Sequence, residues 1–318
     1  MNYANLGKTG LKVSRIGLGT NNFGGQVNEE DSLRIIRKAI DLGINLIDTA
    51  NIYTRGKSES IVGKAVQGYR DEVIIATKVG MNTGKGPNET GLSRKHIMSQ
   101  IRHSLESLGT DFIDIYYLHR FDSETPLEET LGTLNDLVHQ GRVRYVACSN
   151  FASWQIVNAN EICLVNDFEN LSAVQPSYNL LQRSIEQDLL PYCQHKGLGV
   201  LTYTPLMGGL LAGKYSKDGL PPEGSRARYN PNYWERVNKT EYFEYLEGIR
   251  KVSEAIGISM SELAIAWILK NPIVTAPMVG ASTVEQVEEN CRILEVKISD
   301  KDYLELNDLT KTCAASLY

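Results

Sequence analysis

A (β/α)₈ barrel is the fold this sequence predicts, and three observations carry it. Short apolar runs alternate with amphipathic stretches of helical period along most of the chain, as repeating βα units do. Several runs are almost wholly apolar, such as Val73-Ile74-Ile75-Ala76 and Ile113-Asp114-Ile115-Tyr116-Tyr117-Leu118. Parallel strands covered on both faces have this composition. The first strand-to-helix junction reads Gly17-Leu18-Gly19-Thr20-Asn21-Asn22. That is not the G-x-G-x-x-G that opens a dinucleotide-binding βαβ unit in an open doubly wound sheet.

The elements follow in order. Gly7-Lys8-Thr9-Gly10, between two short extended pieces, reads as an N-terminal β-hairpin ahead of the main fold. Eight strands are expected at 15–19, 45–48, 73–78, 113–119, 144–149, 173–175, 199–203 and 276–280. Helices fall between them. The stretch 32–42 puts Leu33, Ile36 and Ile40 on one stripe, and 94–108 does the same with Ile97, Ile101, Leu105 and Leu108. Eight strands with seven helical crossovers and a final C-terminal helix fit a closed barrel. Two regions break the rhythm. The segment 208–242 after the seventh strand is rich in Gly, Pro, Arg and Tyr with little periodicity, and reads as a long functional loop. The tail after Asp300 is charged, and its last residues are expected to fray.

The 318 residues are read as a single barrel domain over 1–318, long enough to bury a large core without staples. A net charge of −5 offers no basic excess for nucleic acid or an anionic membrane surface. The five cysteines are odd in number and none is in C-x-x-C spacing. Neither a disulfide framework nor a metal site is expected, which suits a reducing cytoplasm. No secretory leader and no span-length apolar run is legible.

In a barrel of this kind, chemistry sits at the C-terminal ends of the strands. There the sequence collects Asp48, Tyr53 five residues beyond it, Lys78, His119, Ser149-Asn150, Gln175 and Tyr203. Each has a plainer reading. A lysine closing a strand is often a solvated end, a histidine after an apolar run is often structural, and tyrosine is common in turns. The joint pattern places an acid, a base, a phenol and an imidazole at three consecutive strand ends. A free phenol, with a pKa near ~10, is a poor acid at neutral pH. A lysine ammonium within hydrogen-bond reach stabilises the phenolate, and Asp48 can partner a half-buried Lys78. His119 can hydrogen-bond a substrate oxygen while Tyr53 protonates it. No side chain carries hydride, so a nicotinamide cofactor is required.

Taken together, Gly17-Leu18-Gly19-Thr20, Asn45-Leu46-Ile47-Asp48-Thr49-Ala50, Ile52-Tyr53, Gly56-Lys57-Ser58-Glu59, Ala76-Thr77-Lys78, Tyr117-Leu118-His119, Ser149-Asn150, Gln175 and Thr202-Tyr203-Thr204-Pro205-Leu206 resemble the aldo-keto reductase superfamily. The resemblance runs from about Gly7 to about Asp308. The family's catalytic Asp, Tyr, Lys and His fall on Asp48, Tyr53, Lys78 and His119. Phe23-Gly24-Gly25-Gln26, Gly91-Leu92-Ser93-Arg94-Lys95-His96-Ile97 and Gly280-Ala281-Ser282 are most similar to the branch holding potassium-channel β subunits and L-glyceraldehyde 3-phosphate reductase-like enzymes.

The resemblance implies NADP(H) lying across the barrel mouth. Thr20, Asn21, Gln26 and Asp48 would line the nicotinamide side. Ser149, Asn150 and Gln175 would hold its carboxamide, and Tyr203 would stack on its ring. Thr204, Pro205, Leu206 and Gly208 would wrap the pyrophosphate, with Lys214 and Arg226 as cationic contacts. Gly280 opens a helix start where Ser282 and Gln286 would meet the 2′-phosphate, and Glu289 and Asn290 the adenine. Many relatives carry Lys or Arg where this chain has Ser282 and Gln286, so NAD(H) stays open as a secondary cofactor. Asn22, Phe23, Arg55 and Arg120 are expected near the substrate mouth, and Tyr229, Tyr233 and Trp234 either cap the site or pack the loop. The implied activity is NADPH-dependent reduction of a small-molecule carbonyl, an aldehyde or a ketone, in the cytoplasm, by a chain that can be a homo-oligomer. Two alternatives stand beside it. One is a cofactor-binding regulatory or redox-sensing subunit with little turnover. The other is a barrel enzyme using Lys78 as a Schiff-base nucleophile, which Asp48 opposes by holding Lys78 charged.

Overall fold

The structure, a computed structural model, describes residues 1–217 and 219–313. An antiparallel hairpin, β1 (Tyr3–Asn5) and β2 (Lys12–Ser14), precedes eight parallel strands. These are β3 (Gly17–Gly19), β4 (Leu46–Asp48), β5 (Ile74–Val79), β6 (Ile113–Leu118), β7 (Val143–Ser149), β8 (Ala173–Gln175), β9 (Gly199–Thr202) and β10 (Ala276–Gly280). They close in the order β10-β3-β4-β5-β6-β7-β8-β9. The barrel is the expected (β/α)₈ fold.

Strand alternation then decides where each side chain goes. Successive residues of a strand point to opposite faces. Leu46, Ala76, Tyr117, Ala147, Ala173, Leu201 and Ala276 share the apolar barrel interior. Two residues further along the chain from the first six of these come Asp48, Lys78, His119, Ser149, Gln175 and Tyr203, at or just past the strand ends. These polar residues therefore face inward as well, one layer closer to the C-terminal rim. The hairpin closes the opposite end. Leu6 and Val13, both at 0% exposure, join the interior cluster, and Lys8 N donates to the Gly197 carbonyl just ahead of β9 at 2.8 Å. Gly7 has φ +57, and a Cβ there would sit 2.4 Å from that same Gly197 carbonyl oxygen.

The crossovers are α1 (Glu29–Asp41), α2 (Lys57–Ala65), α3 (Arg94–Leu108), α4 (Leu127–His139), α5 (Ser153–Asn166) and α6 (Leu189–Lys196). α3 has the expected bounds, started by Ser93, whose hydroxyl accepts from His96 N, and ended by left-handed Gly109. α1 begins three residues earlier than its apolar stripe suggests. Asn28 Oδ1 accepts from Asp31 N at 2.9 Å, and Glu29, Glu30 and Asp31 complement the positive helix start. The first barrel strand is shorter than expected. Arg15 belongs to the hairpin side through its N–H to the Asn2 carbonyl, and its guanidinium donates to the carbonyls of Leu269, Val274 and Thr275.

The segment 208–242 is not the irregular loop its composition suggests. It holds a 3₁₀ turn at Met207–Ala212, then α7 (Arg226–Tyr229), α8 (Pro231–Val237) and the start of α9 (Thr240–Ile256). Asn230 Oδ1 caps α8 through Tyr233 N at 3.1 Å, with Pro231 at its first turn. Tyr233 is buried and its hydroxyl donates to the Met207 carbonyl. Tyr215 donates to the Gly208 carbonyl at 3.0 Å. These anchors are tertiary, so no local period announces them. α10 (Met260–Lys270) leads to β10, and α11 (Val284–Arg292) and α12 (Asp300–Thr310) complete the described chain. α12 is held by Leu306 at 0% exposure; the fraying expected of the last residues falls on 314–318, outside the described residues. Among the described residues, no single helix is long and apolar enough to cross a membrane. No group of three or more His, Cys, Asp or Glu among them is arranged to hold a metal.

Candidate active site

Lys78, at 0% exposure, is the hub of the barrel mouth. Its ammonium donates to Asp48 Oδ2 at 2.6 Å, to the Thr49 carbonyl at 2.8 Å and to the Tyr53 hydroxyl at 3.1 Å. All three hydrogens of the ammonium are thereby directed. Burial alone would lower the lysine pKa, but the charge of Asp48 and the contacts with Asp48 and Tyr53 outweigh it, and Lys78 is held above its usual range. Gln175 Nε2 donates to the other carboxylate oxygen, Asp48 Oδ1, at 2.7 Å.

His119 lies one residue beyond β6, where its N–H still donates to the Val79 carbonyl at 2.8 Å. Its ring meets Tyr53 edge-on, with centroids 6.0 Å apart and planes at 78°. Burial, and then the neighbouring Lys78 charge, push the imidazole pKa down to about 3. His119 is therefore neutral across the physiological range. Its Nδ1 is buried with no hydrogen-bond partner among the described residues. The four residues expected at the chemistry, Asp48, Tyr53, Lys78 and His119, are thus brought into one cluster.

A second group of polar residues forms the adjoining wall. Ser149 donates to the Gln175 carbonyl at 2.8 Å. Asn150, in a left-handed conformation with φ 57, donates to Ser149 Oγ at 3.0 Å and to the His119 carbonyl at 2.9 Å. Tyr203 donates to Asn150 Oδ1 at 2.7 Å. Asn150 so ties the ends of three strands together.

On the opposite side, Thr20 is fully buried and its hydroxyl donates to the Asp48 carbonyl at 2.9 Å. Asn21 and Gln26 are exposed on the loop that follows, and Asn22 is partly buried. Phe23 is at 0% exposure in the main core. It packs beneath this loop instead of lining its open face. Arg55 and Arg120 are exposed, and neither forms an ion pair among the described residues. Tyr233 and Trp234 pack the 208–242 segment onto the barrel, Trp234 against Tyr215 at 5.5 Å; Tyr229 is 63% exposed.

The segment after β9 runs Thr204, Pro205, Leu206 and Gly208, with positive φ at Thr204, Met207, Gly208 and Gly209. Arg226 stacks over the Tyr233 ring at 5.2 Å, and Lys214 is exposed. At the start of α11, Thr283 is the cap, accepting from Gln286 N. Gln286 folds back so that its Oε1 accepts from Ser282 N at 2.8 Å. Asn290 Nδ2 reaches the Gly280 carbonyl at 3.4 Å, and Glu289 lies on the same helix. Gln286 thus covers the amide that an anion at this helix start would meet.

Two contributors escape the sequence reading. One is the Thr49 carbonyl, because a backbone acceptor leaves no compositional signal. The other is Ser58, 0% exposed and linked to both Thr20 and Thr49. Its motif, Gly56-Lys57-Ser58-Glu59, is visible in the sequence, but only the fold shows what the hydroxyl touches.

Known proteins resemble this chain along nearly its whole length. The model of the aldo/keto reductase family matches residues 15–311. An "Uncharacterized oxidoreductase YrpG" of Bacillus subtilis (strain 168) is 39% identical over 97% of this chain and 96% of its own length. A "Versiconal hemiacetal acetate reductase" of Aspergillus parasiticus is 34% identical over 96% of each chain. A "Probable voltage-gated potassium channel subunit beta" of Oryza sativa subsp. japonica is 35% identical over 93% of this chain and 92% of its own.

Proposed function

This chain belongs to the aldo/keto reductase family, and from that premise we propose that it is an NADPH-dependent reductase of aldehydes, and secondarily of ketones, with Tyr53 as the general acid. The observation that carries the reading is the Lys78 ammonium, shared at 2.6 Å and 3.1 Å between Asp48 and the Tyr53 hydroxyl.

Bound nicotinamide cofactor would supply the hydride, which no side chain can. The donor set at the mouth fits such a group. Ser149, Asn150 and Gln175 present hydroxyl and amide groups suited to a carboxamide, and Tyr203 presents an aromatic face beside them. Thr20, Asn21, Gln26 and Asp48 would line the other side. Thr204, Pro205, Leu206 and Gly208 would follow the pyrophosphate, and Lys214 and Arg226 would supply the cationic contacts to the 2′-phosphate. Gly280, Ser282, Gln286, Glu289 and Asn290 would hold the adenosine end once Gln286 is displaced from Ser282. The phosphate contacts favour NADP(H), with NAD(H) as a secondary cofactor.

Tyr53 gives its hydroxyl proton to the carbonyl oxygen. Lys78 stabilises the phenolate that remains, and Asp48 keeps Lys78 charged and in place. His119, neutral, hydrogen-bonds the same oxygen and orients the carbonyl without competing as an acid. Asn22, Arg55 and Arg120 border the substrate's approach. The chain acts as one barrel domain over 1–318 on a small carbonyl compound in the cytoplasm, with no nucleic-acid or membrane partner, and can assemble as a homo-oligomer.

The test is NADPH oxidation with a panel of aldehydes, beside NADH and beside Tyr53→Phe. Turnover preferring NADPH and lowered at least ~100-fold by the substitution is expected, the scale of a lost general acid. A second reading has its own support in the likeness to a channel subunit. Tight NADPH binding with negligible turnover on the whole panel would move the assignment to a regulatory, cofactor-sensing subunit.

A further inference from the structure

Beneath the Lys78–Tyr53 contact lies a closed group of three hydroxyls that take no part in the proton transfer above. Thr20 follows β3, Thr49 follows β4 and Ser58 lies in the first turn of α2. Ser58 Oγ is 2.7 Å from Thr20 Oγ1 and 2.9 Å from Thr49 Oγ1, and it donates to the Thr20 carbonyl at 2.9 Å. All three residues are at 0% exposure. Solvent does not reach this group, so a hydroxyl that loses its partner here cannot turn to water; Ser58 Oγ is the partner shown for Thr49 Oγ1.

Each end of the group reaches the catalytic pair by its own path. On one side, the Thr49 carbonyl accepts from Lys78 at 2.8 Å, and the adjoining Asp48 carboxylate accepts at 2.6 Å. On the other side, Ser58 follows the turn that carries Tyr53. That turn has three consecutive left-handed residues, Thr54 (φ 49), Arg55 (φ 60) and Gly56 (φ 85). Such a conformation is strained for a non-glycine residue, so the turn persists only if it is held from outside. Thr54 Oγ1 holds its near end through the Phe23 carbonyl at 2.7 Å. Ser58 holds its far end.

We propose that Ser58 and Thr49 are positioning residues, whose shared hydrogen bond sets the contact between Tyr53 and Lys78. Neither side chain touches the reacting atoms. The proposal rests on the reading of Tyr53 as proton donor, and its test does not depend on turnover alone.

Thr49→Val removes one hydroxyl while keeping the branched shape, Thr49→Ser keeps the hydroxyl, and Ser58→Ala removes the other partner. Isotope-labelled tyrosine NMR follows the Tyr53 titration, with its resonance identified by its absence in Tyr53→Phe. Thr49→Val and Ser58→Ala should each move that titration to higher pH, and Thr49→Ser should not. Alongside, kcat should fall roughly tenfold with KM little changed, less than the ~100-fold that a full ångström of misplacement costs. The double variant should be no worse than the poorer single one, because both break one link. An unmoved Tyr53 titration in folded Thr49→Val and Ser58→Ala overturns the proposal. Should Ser58→Ala fail to fold, the Thr49 pair decides alone. Absence of wild-type turnover would remove the reductase reading, while the NMR titration still judges this one.

Discussion

Gln175 reaches from β8 to β4, on opposite sides of the eight-stranded ring, and donates its side-chain N–H to Asp48 Oδ1 at 2.7 Å. With Lys78 on Oδ2, the carboxylate is fixed through both oxygens. A buried ion pair has value only when its remaining hydrogen-bonding capacity is met. Here an amide from across the barrel meets it.

Asp48→Asn should therefore be costly. It leaves the wholly buried Lys78 ammonium without its counter-charge, and a loss of about 3 kcal/mol in unfolding free energy is expected from urea denaturation. The pH dependence gives a second check. Lys78 is raised in the folded state, above an unfolded value near ~10.4. The pair's contribution is complete below that value and is lost as pH rises through the folded one. The gap between wild type and Asp48→Asn should narrow in that alkaline window. A gap that stays constant across it would count against the pair as the source.

His119 titrates in the opposite sense. Its folded pKa is depressed to about 3, against an unfolded value near ~6.5. Below ~6.5 the unfolded chain binds a proton that the folded chain refuses. Stability should fall as pH drops from there toward the folded value, by about 1.4 kcal/mol per pH unit. Unfolding free energies for wild type and His119→Gln, measured from neutral to acidic pH, should diverge at the neutral end and converge on acidification. Parallel curves would mean that His119 is not a buried neutral imidazole in solution.

Lys214 and Arg226 carry the proposed preference for NADPH, since Gln286 already occupies the Ser282 amide at the α11 start. Charge-assisted hydrogen bonds contribute about 1.5–3 kcal/mol. Replacing either cation by methionine should raise the NADPH dissociation constant about tenfold or more. Binding of NADH, which lacks the 2′-phosphate, should change less. The ratio of the two constants, by cofactor fluorescence, is the measurement. An equal loss for both cofactors would place these cations on the pyrophosphate or on the loop itself.

The polar cluster at the barrel mouth was legible in the sequence because strand alternation is local. Asp48, Lys78, His119, Ser149, Gln175 and Tyr203 each stand two residues beyond an apolar interior position, and parallel strands of one barrel end at one rim. The other assignments needed distances between segments far apart in the chain. The phenyl ring of Phe23 reads as well at a mouth as in a core, and burial decides between them. Gln286 reads as a phosphate ligand, and only the fold shows its side chain resting on the Ser282 amide. The 208–242 segment lacks a period because Tyr215 and Tyr233 hold it by contacts to the Met207 and Gly208 carbonyls, not by an amphipathic stripe.

By itself, the sequence determined the strands, their order around the barrel and the layer in which each polar side chain stands. These follow from periods of two and of about 3.6 residues, which the strand and helix windows carry locally. Tertiary structure alone decided which polar atoms meet. The span from Gln175 to Asp48, the Thr49 carbonyl on Lys78 and the three hydroxyls at Ser58 depend on barrel closure and on how α2 seats against two strand ends. Hydrogen bonds act over about 3 Å, and no local period determines a separation that fine between residues so far apart in the chain.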